Sequence, residues 1–123
     1  MVVGAIGAIV AIAAAGCDSG PSGPGVLVAS VQGESLGGAL IEVTGRGIQG
    51  FDGLGGTQIY DAAVPSVPDA HRVILIHPDG GELRFEIHVD DVGADDPVIT
   101  VVSAAGADNL TLLTAGIEAR IER

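Results

Sequence analysis

The sequence predicts an all-β domain, a small antiparallel β-sandwich of about seven or eight strands, which follows an N-terminal signal segment. Three observations lead to this fold class. From Val26 onward, short runs rich in Val, Ile and Leu recur along the chain. Gly, Pro and Asp separate these runs, as turn residues separate short strands. Several of the runs alternate apolar and polar residues, which is the pattern of a strand with one buried face.

Each of the first two predicted strands places apolar side chains on one face. The strands span residues 26–32 and 39–45, and a turn is predicted between them at Gly37-Gly38. Successive side chains of a strand point to opposite faces of its sheet. The residues expected to face inward are Leu27, Ala29 and Val31 in the first strand and Ala39, Ile41 and Val43 in the second.

The centre of the chain is predicted to hold a β-hairpin, after a weaker strand at 57–64. The run HRVILIH (71–77) is almost continuously apolar, as in a central strand covered on both faces. PDGG (78–81) has turn chemistry, and ELRFEIHV (82–89) alternates strictly. We therefore expect strands 71–77 and 82–89 to pair. In the second, Leu83, Phe85, Ile87 and Val89 are expected to point inward, and Glu82, Arg84, Glu86 and His88 outward.

The last third of the chain continues the strand pattern. Residues 97–103 are a predicted strand. Residues 109–123 also favour a strand, because apolar and charged residues alternate near the end. A helix over 110–123 is the alternative, since several of its residues suit helices. The apolar members of the alternation are Ile117, Ala119 and Ile121.

The N-terminal segment 1–16 has the character of an export signal. It carries no charge, and its apolar core from Ala5 to Ala15 matches the h-region of a signal peptide, about 7–15 residues long. A membrane-spanning helix needs about 20 apolar residues, so the run is short for a permanent span. The chain's single cysteine, Cys17, follows the small residues of AAG.

The tetrapeptide AAGC (14–17) resembles a lipobox, the processing site of bacterial lipoproteins. The resemblance implies cleavage before Cys17 and a lipid on that cysteine, with the protein exported and anchored to a bacterial membrane on its periplasmic or extracellular face. Residues 17–25 would then hold the lipidated cysteine and a flexible Gly/Pro/Ser tether, and 26–123 the sandwich. There are two alternatives. The segment is an ordinary secretory signal in which the cysteine is incidental, or it is a buried apolar segment of the fold.

Three stretches of the sequence are similar to bacterial surface modules of the cohesin-like or related Ig-like β-sandwich type. They are GALIEVTGRGI (38–48), RVILIHPDGGELRFEIHV (72–89) and ITVVSAAGADNL (99–110). The shared features are core and turn patterns. The resemblance therefore implies a fold, and it assigns no functional residue.

The charge of the chain excludes one class of partner. Sixteen carboxylates face five arginines, which gives a formal net charge of −11. Nucleic-acid binding depends on clustered cations, and the sequence has no basic cluster. The acidity is interpreted as a means of keeping an exported protein soluble, with an acidic docking face for a cationic partner as the alternative.

Two groups of residues are candidate metal ligands. Asp90, Asp91, Asp95 and Asp96 offer carboxylate oxygens of the kind that Ca²⁺ takes, but they lack the spacing of an EF-hand. A weak calcium site is therefore one interpretation and a solvated turn the favoured one. His71, His77 and His88 are not expected to form a zinc site, because His88 faces outward on another strand. No cofactor is predicted.

Catalysis is not expected. The sequence has no G-x-S-x-G motif, and Ser30, Ser35, Ser66 and Ser103 lack the setting of a nucleophile. Sugar binding usually stacks aromatic rings, which are scarce here. Tyr60 is expected in the core or at a corner. Phe51 is the one ring weighed as exposed, with a plug at the end of the sandwich as the favoured alternative.

These observations predict a non-catalytic, membrane-anchored envelope lipoprotein whose sandwich serves as an interaction or structural module. The expected contacts are a membrane, through the lipid on Cys17, and another envelope protein. The alternative is a cohesin-like module that binds a glycan or calcium.

Overall fold

The computed structural model describes residues 22–122, which form a sandwich of two antiparallel β-sheets. No α-helix occurs in this part of the chain, and it therefore contains no helix that could cross a membrane. The predicted signal segment 1–16 and Cys17 lie outside the described residues. The elements are β1 (Gly25–Gln32), β2 (Leu36–Thr44), β3 (Ile48–Leu54), β4 (Gln58–Ala63), β5 (Ala70–Ile76), β6 (Leu83–Val89), β7 (Val98–Gly106), β8 (Thr111–Leu112), a 3-10 turn (Thr114–Gly116) and β9 (Glu118–Glu122).

The chain passes back and forth between the two sheets. The four-stranded sheet has the order β3-β6-β1-β9 and the five-stranded sheet the order β4-β5-β2-β7-β8. Consecutive strands share a sheet in β4-β5 and β7-β8, and the other described connections cross from one sheet to the other. An all-β antiparallel sandwich was the predicted fold class, and the structure confirms it.

The core lies between the inner faces of the two sheets, as alternation predicted. In β6 the outward residues are partly exposed, whereas Leu83, Phe85 and Ile87 are completely buried. The inward faces predicted for the first two strands are confirmed in the same way, because every second residue of each is buried. The buried apolar residues of the core are Leu27, Ala29, Val31, Leu36, Ala39, Ile41, Val43, Phe51, Val73, Leu75, Leu83, Phe85, Ile87, Val89 and Ala104.

The predicted hairpin of strands 71–77 and 82–89 is wrong. β5 lies between β4 and β2 in one sheet, and β6 lies between β3 and β1 in the other. Both edges of each strand are therefore already paired. The connecting segment instead bonds to the start of β2, since the backbone N–H of His77 donates to Gly37 O (2.9 Å) and that of Gly81 to Leu36 O (2.8 Å). Gly80 and Gly81 have φ of 78° and 124°, which lets the chain leave the sheet plane there.

β5 is also not covered on both faces. Val73 and Leu75 are completely buried, whereas Ile74 and Ile76 point away from the core and remain partly exposed. The apolar run of β5 thus fills the core with one face and presents apolar side chains to solvent with the other.

Two further segments differ from the sequence prediction. The predicted turn at Gly37-Gly38 lies within β2. Gly37 is required there by a close approach, because a Cβ atom would lie 2.6 Å from the backbone nitrogen of Ala107. The segment predicted as one strand over 109–123 contains β8, the 3-10 turn and β9 within its described part, and the helical alternative is not formed there.

β3 was not predicted as a strand. It brings Phe51 into the core, where the side chain is 8% exposed and its ring meets that of His71 edge-on, with centroids 5.6 Å apart. Phe51 is therefore no exposed sugar-stacking ring. Its role agrees with the packing alternative, although the residue belongs to a strand and not to a loop.

Candidate functional site

The outer side of the five-stranded sheet presents a row of apolar side chains. Cross-strand register places Tyr60 opposite Ile74 and Ile74 opposite Leu40. Leu40 is paired in turn with Ser103 of β7, and beside Ser103 lies the exposed Val102, the extra residue of a β-bulge. Tyr60 is 59% exposed and Ile74 45% exposed. We define the apolar face as Leu40, Tyr60, Ile74, Ile76 and Val102.

The exposure of Tyr60 corrects the expectation that this residue lies in the core or at a corner. β4 is the edge strand of its sheet, and its even-numbered residues point outward with those of β5. A large ring on the outward side of an edge strand has a single neighbouring strand to cover it. Tyr60 therefore stays in solvent with an apolar neighbour beside it.

A shallow groove of about 500 Å³ adjoins the apolar face. Ile74 and Ile76 form one wall, and the segment 107–111 lies on the other side. Small residues, among them Gly38 and Ala105, form the floor between them. The lining is mainly apolar backbone and side-chain surface, which suits contact with an apolar group better than general acid–base chemistry.

The charged residues near this face are mostly acidic. Arg72 follows in the same outward row and its Nε donates to Glu42 Oε1 at 2.9 Å, so its charge is matched by a partner. Asp108 beside the groove is an exposed carboxylate, whereas Asp61 pairs with the core residue Val73 and lies on the other side of the edge strand. The apolar face thus belongs to a chain of formal net charge −11, which attracts basic groups from solution.

The outer side of the four-stranded sheet is polar and contains a group of possible metal ligands. Asp52 on β3 lies directly opposite Glu86 on β6, and His88 is the next outward residue of β6. The Nε2 of His88 donates to Asp52 Oδ2 at 2.7 Å and lies 3.8 Å from Glu86 Oε1. One ligand atom from each residue lies within 4.8 Å of the others.

Part of this group was foreseeable. The strict alternation of 82–89 predicted that Glu86 and His88 point outward, and the structure confirms this. Asp52 was missed because β3 was not predicted as a strand. The signal available was the alternation of Phe51 with Asp52, which the surrounding glycines obscure.

The four aspartates proposed as weak calcium ligands lie in the connection from β6 to β7. Asp91 Oδ1 accepts the backbone N–H of Gly93 (2.9 Å) and of Gly23 (3.0 Å), and these two bonds lower the pKa of Asp91. Asp91 thereby fastens the segment that precedes β1. Asp90, Asp95 and Asp96 are exposed, and the ligand group found within residues 22–122 does not include them. Calcium binding there stays a prediction.

The other histidines are separate from one another. His71 packs against Phe51, while His77 at the end of β5 lies with Nε2 3.1 Å from Gly55 O. Among the serines weighed as nucleophiles, Ser30 is completely buried, and its hydroxyl has no hydrogen-bond partner within residues 22–122. The described geometry gives Ser30 no activating base.

Comparison of the chain with protein-family models, with curated proteins and with solved structures finds no match in any of the three.

Proposed function

We propose that this protein is a non-catalytic interaction module of the bacterial cell envelope, held at a membrane by a lipid on Cys17. Its apolar face binds another envelope protein that presents apolar side chains surrounded by basic residues. The cohesin-like or Ig-like affiliation of the sandwich belongs to the same proposal. The observation that carries it is the row from Tyr60 through Ile74 to Leu40.

The row supports a contact because its members contribute little to the core. Outward-facing residues of an antiparallel sheet with one solvated face are usually polar. Here Ile74 and Ile76 stand side by side on the outward face of β5, and Tyr60 extends the surface to the edge strand. Aromatic and large apolar residues are typical anchors of protein interfaces.

Charge decides between a second copy of the chain and a different protein. Two copies, each with a formal net charge of −11, repel one another at low ionic strength. A partner with basic residues around an apolar centre is attracted by the net negative charge of the chain and by the exposed carboxylate of Asp108 beside the groove. We therefore commit to a heterologous protein partner.

The position of the described N-terminal end agrees with this arrangement. Gly23 is bonded to Asp91 beside the loop from β6 to β7, which adjoins the Val89 end of β6. The groove lies beside Gly38 and Ile76, close to the start of β2, at the opposite end of the strands. A chain tethered through residues 17–25 would thus hold the groove end away from the membrane.

The lipid anchor is tested by Cys17→Ser. We expect the wild type to fractionate with membranes and to enter a detergent phase, and the variant to be soluble after signal cleavage or to remain unprocessed. A variant that is cleaved and still fractionates with membranes would contradict the anchor. Mass spectrometry of the mature N-terminus identifies the lipid directly from its mass. Two acyl chains suffice for stable membrane attachment.

The interface is tested by a photo-crosslinking amino acid in place of Tyr60, in intact cells. The matched control places the same group at Val26, which is 41% exposed on the outer side of the other sheet. We expect a covalent adduct with one envelope protein from position 60 and none from position 26. Mass spectrometry of the adduct identifies the partner.

The affinity of the purified partner is then measured for the wild type and for Ile74→Thr. Threonine keeps the β-branched shape but removes apolar surface, so the fold should persist. We expect at least about a fivefold loss of affinity, as for an interface anchor, and no loss with the control Val26→Thr. An adduct between two copies of the chain, or equal adducts from both positions, would overturn the proposed interface.

A further inference from the structure

We propose that Asp52, Glu86 and His88 form a Zn²⁺ site that fastens the edge strand β3 to β6. The register brings the ligands together, since Asp52 and Glu86 are direct cross-strand partners and His88 is the next outward residue after Glu86. All three side chains therefore stand on the same side of the same two strands. This site is independent of the apolar face, which lies on the other sheet.

The electrostatics of the pair favour a cation. Like charges placed directly opposite one another across two strands are destabilising. Asp52 and Glu86 are such a pair, and the contact between His88 and Asp52 compensates the repulsion in part. A dication between the carboxylates would remove the repulsion, and the net charge of −11 raises the local concentration of cations around the chain.

The distances are close to those of zinc coordination. Zn²⁺ binds imidazole nitrogen and carboxylate oxygen at about 2.0–2.2 Å, so tetrahedral ligand atoms lie roughly 3.3–3.5 Å apart. The Nε2 of His88 lies 2.7 Å from Asp52 Oδ2 and 3.8 Å from Glu86 Oε1, on either side of that separation. Because the three side chains are partly or largely exposed, small rotations complete the geometry.

The ligand types select zinc over calcium. Ca²⁺ takes six to eight oxygen ligands, whereas imidazole with carboxylates suits Zn²⁺ and related transition metals. His88 would bind as neutral imidazole with its proton on Nδ1. The Nε2 proton that now serves the hydrogen bond to Asp52 would be lost or moved to Nδ1, as metal binding to histidine requires.

The surroundings leave room for a fourth ligand. Gly50 is the residue of β3 opposite His88, and even a Cβ atom there would meet nothing within 4 Å. Water fills the fourth position of a three-ligand zinc site when no further protein ligand is present. Because Asp52 belongs to β3 and the other two ligands belong to β6, a bound metal ion would join the two strands.

The test titrates ZnCl₂ into the purified full chain in a neutral, chelator-free buffer and follows binding by calorimetry. We expect saturable binding in the wild type and at least about a tenfold loss of affinity in His88→Gln and Asp52→Asn, since even indirect contacts to a metal are worth 10–100-fold. His77→Gln is the matched control, because its histidine lies outside the group. All variants retain Cys17, so any zinc bound by that thiol cancels in the comparison.

Two further measurements test the same ligands, and the first of them, by NMR, does not depend on stability. In the NMR spectrum, added Zn²⁺ should shift or broaden the imidazole resonances of His88 and leave those of His71 and His77 in place. The thermal midpoint of the wild type should rise with zinc more than that of His88→Gln. Equal zinc affinity in wild type and His88→Gln, or the absence of saturable binding, would overturn the site.

Discussion

The structure predicts that the same substitution has very different consequences on the two sides of the five-stranded sheet. Ile41 and Ile74 lie on adjacent central strands, but Ile41 is completely buried between the sheets and Ile74 is 45% exposed on the apolar face. Replacement by Ala removes the same side-chain carbons at both positions. The loss of β-propensity is also similar, because both strands have a partner on each side.

Burial determines the size of each effect. Ile41→Ala loses about 0.8 kcal/mol for each buried methylene or methyl group and leaves a cavity, so the free energy of unfolding should fall by about 3–4 kcal/mol, within the usual range of 2–5. Ile74→Ala leaves no closed cavity and removes carbon that is about half in water already, so we expect about 1 kcal/mol.

The comparison is made by urea denaturation of the full chain followed by circular dichroism, with the slope of each transition checked for constancy. The expected difference of about 2–3 kcal/mol corresponds to thermal midpoints separated by roughly 8–20 °C. Equal losses at the two positions would refute the argument and show that the outer side of β5 is covered in solution. If the loss of stability caused by Ile74→Ala grows with protein concentration, the outer side of β5 is covered by a second copy of the chain.

Three further substitutions test contacts with the backbone. Gly37→Ala should destabilise the fold by about 1–3 kcal/mol, because the new Cβ would lie 2.6 Å from the backbone nitrogen of Ala107. Gly50→Ala, whose Cβ would meet open space, should instead be neutral or stabilising by about 0.4–1 kcal/mol in the same melts. The lowered pKa of Asp91 means that its ionised form stabilises the fold above the unfolded-state pKa, and this contribution is lost as pH falls below about 4. Asp91→Ala should therefore show a shallower decline of the thermal midpoint between pH 5 and pH 2, whereas an unchanged decline would exclude this role.

The sequence predicted the inward face of β6 correctly and its partner wrongly, for one physical reason. Alternation is local, since Leu83, Phe85 and Ile87 must share a face whatever strand lies beside them. Pairing depends on which hydrogen-bonding edges are already occupied. β1 and β3, distant in sequence, occupy both edges of β6, and the Gly80-Gly81 segment serves a crossing between sheets as well as it would serve a hairpin.

The candidate sites were hidden by similar non-local effects. The apolar run of β5 carries no polar alternation, so it could not show that Ile74 faces solvent. β3 is rich in glycine, which is rare in strands, and this lowered its β-propensity in the sequence. Gly53 is nevertheless required in β3, because a Cβ atom there would overlap the carbonyl group of Thr57. Asp52 becomes a neighbour of Glu86 only through the register of this unpredicted strand.

In a sandwich of this size the inner faces are used entirely for the core, and the outer faces and loops remain for function. The outer face of the four-stranded sheet is charged, as solubility alone would favour, whereas that of the five-stranded sheet carries Ile74, Ile76 and Tyr60. β-propensity by itself favours such residues on any strand, but it favours threonine too. Threonine at position 74 therefore separates the two explanations. If the fold is unchanged and the contact with a partner is lost, the isoleucine serves recognition rather than stability.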